Sequence, residues 1–129
     1  MRATSSRNAV LLAFALAVGL AGCASGGGGS SRPAGATSNR IVRAELEPLG
    51  QVDALQAVQR LRSRWVQARG AASDTPILYV DGTRRGSADE LRFIRTADVE
   101  MMEYLSAGDA TTRYGTGHMG GAILVTSVR

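Results

Sequence analysis

The 129 residues hold one cysteine, one histidine and no lysine, and each scarcity removes a class of chemistry. A lone Cys23 cannot close an internal disulfide, so stability has to come from packing. A lone His118 excludes a multi-histidine metal site, and a Ser-His-Asp arrangement would have to recruit it from a glycine loop. An exposed loop histidine is the expectation. Without lysine there is no P-loop. One G-x-G-x-x-G match runs from Gly115 to Gly120, but a strand pattern follows it rather than the helix and the acid about 20 residues on that a dinucleotide site needs. No catalytic, cofactor or metal site is therefore predicted. Long apolar runs are missing too. The stretch Ala9 to Leu20 has twelve residues, whereas a bilayer-spanning helix takes about 20.

That short stretch has another use. Arg2 and Arg7 precede it and the small residues Ala21 and Gly22 follow it, which is the layout of a signal peptide over residues 1–22. Leu20-Ala21-Gly22-Cys23 resembles a bacterial lipobox, in which the thiol receives a diacylglycerol and the leader is cut just before it. A buried free thiol is the alternative for Cys23, but its small, polar and Gly-rich neighbours offer no core. Lipid on Cys23 is thus the expected membrane contact. Two or three acyl chains make such an anchor stable, each buried CH₂ adding about 0.8 kcal/mol. Ala24 is not the aspartate that retains lipoproteins in the inner membrane, so resemblance to that sorting rule favours the outer membrane, with the domain facing the periplasm.

Residues 23–39 read as the lipidated cysteine and a Gly/Ser-rich tether, whose flexible coil would reach roughly 20 to 24 Å. A domain of about 90 residues, 40–129, remains. The 15 arginines and 11 acids give +4, which falls to +2 once Arg2 and Arg7 leave with the leader. Such a balance argues against a nucleic-acid partner.

Within the domain, Asp53 and Gln56 have capping-box spacing, and Leu55, Val58, Leu61 and Trp65 recur on one face of a helix that runs to about Ala68 before Gly70. Arg60 and Arg64 fall on the polar side, a solvated face or one that attracts anionic lipid phosphates. Arg62 falls inside the apolar arc and needs a carboxylate, for which Glu103 is the candidate. Ile77 to Val80, the turn pair Asp81-Gly82 and Thr83-Arg84-Arg85 form a hairpin that Gly86 releases. Ser87 and Glu90 repeat the capping-box spacing, and Thr96 is placed to cap a further turn. Met101 to Leu105 suits a half-buried strand, Asp109 to Arg113 a short helix halted at Tyr114-Gly115, and Ala122 to Thr126 a strand covered on both faces. The result is an α+β domain with a small mixed sheet, one longer amphipathic helix and short helices.

At this point a family resemblance is visible. Pro76-Ile77-Leu78-Tyr79-Val80-Asp81-Gly82-Thr83, then Asp98 to Leu105, then Asp109 to Gly115, then Gly121 to Thr126 resemble, in order and spacing, the plug domain of TonB-dependent outer-membrane receptors, best those of the SusC type. The resemblance covers about Pro76 to Ser127. Independently of it, Asp81-Gly82 supplies positive φ for a tight reversal, Tyr114 a ring to cover the sheet edge, Gly115 a sharp turn, and Glu103 a buried acid awaiting Arg62. Ser106 and Ala107 depart from the family, which usually has a basic residue and Gly there, so the contact made by that basic residue is not expected. The residues after the final strand leave no room for a barrel, and no TonB-binding box is recognised. The resemblance therefore implies a non-catalytic, lipid-anchored plug-like module working without its barrel, with an outer-membrane protein or a second copy as partner. The alternative is a binder of small ligands or surface polysaccharide that uses the Arg-rich face, with Arg84 and Arg85 as its contacts.

Overall fold

A computed structural model describes residues 31–67 and 74–129. The leader, Cys23, Ala68 and Gly70 lie outside the described residues. The described body is a five-stranded mixed sheet in the order β1-β4-β5-β2-β3, built from β1 (Arg40–Val42), β2 (Ile77–Val80), β3 (Thr83–Ser87), β4 (Val99–Leu105) and β5 (Ala122–Ser127). Three helices accompany it: α1 (Arg43–Leu46), α2 (Ala54–Arg62) and α3 (Ala107–Tyr114). All neighbouring strands are antiparallel except β2 and β5, which run parallel with Leu78 opposite Ile123.

The sheet order follows from the alternation of side chains across a strand. Leu78, Ile123, Val125, Met102 and Ile41 point to one face, where α1, α2 and a 3-10 segment over Ala88–Phe93 cover them with Leu46, Val58, Trp65 and Leu91. Ile77, Tyr79, Ala122, Leu124 and Leu105 point to the other, where α3 packs through Ala110 and Tyr114. The α+β architecture with a small mixed sheet is as the sequence implies. β5 lies centrally, and Ala122, Ile123 and Val125 are buried.

Local signals explain where elements begin. The Asp53 side chain accepts from the Gln56 N–H at 2.8 Å and starts α2. Ala54, Ala57 and Val58 are buried along its length. The α-helix ends earlier than the periodicity predicts, because Arg62 leaves helical dihedrals (φ −145°, ψ 54°) and a 3-10 turn over Ser63–Trp65 follows. That turn drives Trp65 into the core, where its ring stacks on Tyr104 at 5.9 Å. Ser106 caps α3 by accepting from the Asp109 N–H, and its hydroxyl donates to the Asp109 carboxylate at 2.6 Å. The helix therefore starts at Ala107, two residues before the expected Asp109, and the residue that departs from the family pattern has a local task.

Three expectations are corrected. Ser87 makes no cap bond to the segment after it; its hydroxyl reaches Asp89, while the Ala88 N–H goes to the Pro76 carbonyl and the segment winds as 3-10. Thr96 does not cap a turn either, since its hydroxyl donates inward to the Gly50 and Val52 carbonyls. Gly86 does not release the chain: it stays paired with Leu78, and the ladder bulges at Arg85 instead. The stretch expected to be tether down to Asn39 is tied to the domain at its far end. Thr37 bridges Arg40, its carbonyl accepts from Arg62, and the Ser38 carbonyl accepts from Arg64 and from the Trp65 indole N–H.

Candidate functional site

Arg62 is buried, as its place in the apolar arc of α2 requires, but its carboxylate is Glu45 rather than Glu103. Nη2 donates to both Glu45 oxygens at 2.9 and 3.0 Å, while Nε and Nη1 donate to the Thr37 and Leu61 carbonyls. The two side chains are 7% and 8% exposed. Glu103 cannot reach them. It neighbours Met102 on β4, and successive residues of a strand face opposite ways; Met102 meets α2, so Glu103 looks to the far side of the sheet. There it lies opposite Arg40 on β1 and pairs with it at 2.8 Å. The acid is as cation-hungry as expected, with a different cation.

On that far face sits a ring cluster. Tyr114 stacks flat on Tyr79, with centroids 4.1 Å apart and 15° between planes. It therefore covers the face of an interior strand rather than the sheet edge. Gly115 ends α3 with φ 89°, a conformation that favours glycine, and the loop then folds His118 beneath the tyrosines. His118 is buried, which corrects the expectation of an exposed loop histidine. Its Nδ1 lies 2.8 Å from the Gly115 carbonyl and its Nε2 2.9 Å from the Tyr79 hydroxyl. A carbonyl only accepts, so Nδ1 carries a proton and donates to it, and in the tautomer protonated there alone Nε2 accepts from Tyr79. The G-x-G-x-x-G stretch thus shapes a packed corner of the domain. Among the described residues no group of histidines, cysteines and carboxylates is placed to hold a metal.

The hairpin turn has positive φ at both Asp81 (48°) and Gly82 (81°), the type I′ geometry its dipeptide predicts. Sequence reasoning missed a second task for Asp81. Its Oδ1 accepts from the Ser127 N–H at 2.9 Å, and its own N–H donates to the Val125 carbonyl, which fastens the turn to the far end of β5. The Ser127 backbone N–H, then the Ser127 side chain, hold this exposed carboxyl below its ordinary value of 3.8, and Arg129 and Arg85 act in the same direction.

Arg84 and Arg85 are both exposed, but they do not form one patch. Arg84 pairs across from Tyr79 and shares its face. Arg85, the bulged residue, lines a shallow cleft on the opposite face with Leu78, Val80, Glu90, Phe93 and Ile94. Phe93 there is 80% exposed, with the Arg92 guanidinium over its ring.

With the sheet, the turn and the short capped helix in place, comparison with protein families is decisive. The model of the TonB-dependent Receptor Plug Domain matches residues 31–122, more than half of the chain. The chain belongs to the TonB-dependent receptor plug family. Comparisons with curated proteins and with solved structures returned no match. Plug domains are non-catalytic components of outer-membrane transporters, so the family associates this chain with TonB-dependent transport and with the outer membrane or cell envelope. Among the described residues no helix is long and apolar enough to cross a membrane.

Proposed function

We propose that this plug domain is a non-catalytic docking module, held at the outer membrane by lipid on Cys23 and facing the periplasm. Its partner is an outer-membrane protein, a barrel or a second copy, in the service of uptake. The observation that carries the reading is the plug match over residues 31–122. Leu20-Ala21-Gly22-Cys23 supports the anchor, and the residues between Cys23 and Arg32 supply a leash.

Proximity cross-linking of the full chain in intact envelopes tests the docking. An outer-membrane protein should be captured, and capture of none under conditions that trap a known receptor complex would overturn the reading. Metabolic labelling with palmitate tests the anchor separately: the label should be present on the natural chain and absent from Cys23→Ala.

A further inference from the structure

A cleft on the side of α2 is lined by Arg32, Ser38, Leu61, Arg62, Ser63 and Arg64 and encloses roughly 290 Å³. No carboxylate lines it. Arg62 contributes no free charge, since Glu45 neutralises it from behind. Arg64 is different. Its Nη2 is fixed by the Ser38 carbonyl at 2.7 Å and the Asn39 Oδ1 at 2.6 Å, both uncharged acceptors, so the guanidinium is held in position with its charge unbalanced. Arg32 makes no ion pair or hydrogen bond among the described residues. Among the described residues the Ser63 hydroxyl is engaged as an acceptor, from Gln67, which leaves its proton to donate. Two guanidinium groups with no acid partner among the described residues and a hydroxyl around one concavity are the donor set that a phosphate oxygen fits, because planar N–H forks match its geometry and both charges assist. Two exposed arginines elsewhere are answered locally, Arg92 by Asp89 and Arg95 by Asp98.

We infer that this cleft binds the phosphate of an anionic lipid headgroup. The choice of lipid over free phosphate rests on the proposed anchor at Cys23. Nine residues lead from Cys23 to Arg32, and a chain of that length spans at most about 32 Å. An acylated Cys23 keeps the cleft among headgroups, whose local concentration replaces high intrinsic affinity. The leash and the cleft then act together, the first restricting distance and the second choosing which side of the domain meets the bilayer.

The test is calorimetric titration of the full chain in non-ionic micelles with short-chain phosphatidylglycerol, with phosphatidylcholine of the same length, and with inorganic phosphate. Phosphatidylglycerol should bind and weaken with salt, while phosphatidylcholine should not bind. Arg32→Gln combined with Arg64→Gln should lower the affinity about tenfold or more, and Arg92→Gln combined with Arg95→Gln, the same loss of charge elsewhere, less than about twofold. Because Arg64 also ties down Ser38 and Asn39, Arg32→Gln alone is the cleaner probe. It should cost about threefold in affinity and leave the melting midpoint unchanged. Equal losses in the two double variants, or equal binding of both lipids, would overturn the inference. Inorganic phosphate binding as tightly as phosphatidylglycerol would overturn the lipid assignment. The titration does not depend on the acyl group. An unmodified Cys23 beside intact phosphatidylglycerol binding would remove the anchor and keep the cleft.

Discussion

The two faces of the sheet are built on different terms. The face under α2 is large, with Trp65, Leu78, Met102, Ile123 and Leu91 all almost fully buried, and an ion pair, Arg62–Glu45, is enclosed with them. The face under α3 has small contacts, Ala110 on Ala122, a stack of two tyrosines over a histidine, and an ion pair, Arg40–Glu103, whose side chains are 40% and 27% exposed. Similar chemistry is therefore worth different amounts on the two sides. An enclosed charge that loses its partner has no water to turn to, whereas a half-exposed one rehydrates.

Substitutions can break or sharpen that contrast. The largest effect is expected for Glu45→Gln, which strands the Arg62 guanidinium and should reduce unfolding free energy by about 3 to 5 kcal/mol in urea denaturation of the full chain. Next is Tyr79→Phe, which removes the donor to His118 Nε2 while keeping the ring stack, and should reduce it by about 1 to 3 kcal/mol. Glu103→Gln should reduce it by under about 1 kcal/mol, despite a bond length like that of the Arg62 pair. If Glu45→Gln and Glu103→Gln had equal effects, the difference between the faces would be lost.

The smallest effect belongs to Asp81, which lies in the hairpin turn and belongs to neither face. Its carboxyl is held below its ordinary value of 3.8 in the folded chain, so the folded state favours the ionised form. That contribution is present above 3.8 and fades as pH falls through the lower folded value. Thermal midpoints of the natural chain and of Asp81→Asn should differ slightly at neutral pH and converge in acid. A gap that widened on acidification would show that the Ser127 clamp does not act through charge.

What was legible in the sequence is whatever neighbouring residues decide between themselves. Asp53 and Gln56 set the start of α2, Asp81 and Gly82 the turn, Ile77 to Val80 and Ala122 to Thr126 two strands, and the series of these pieces carried the family. What was not legible depends on which way a side chain faces after distant pieces meet. Arg62 was rightly read as buried and in need of an acid, yet Glu103 was the wrong one, because β4 turns it away from α2. The alternation Met102, Glu103, Tyr104 contained that information, since the apolar pair has to take the core side. His118 gave no such signal. Its burial depends on Tyr79, 39 residues earlier, and polar loop composition points the other way. Ser87 failed as a cap because its hydroxyl turns to the Asp89 carboxylate while the segment winds as 3-10.

The central position of β5 has a consequence for when the domain can form. Before residues 122–127 are available, the sheet exists only as two separate antiparallel pieces, β1 with β4 and β2 with β3, and no hydrogen bond of the ladder joins them. Neither piece is more than a two-stranded ribbon, which is marginal in water. The parallel seam between β2 and β5 closes a separation of 45 residues, a non-local pairing that is slow to form. Assembly is thus deferred to the arrival of a single late segment. Without it the two halves of the sheet share no strand, and with it they share one.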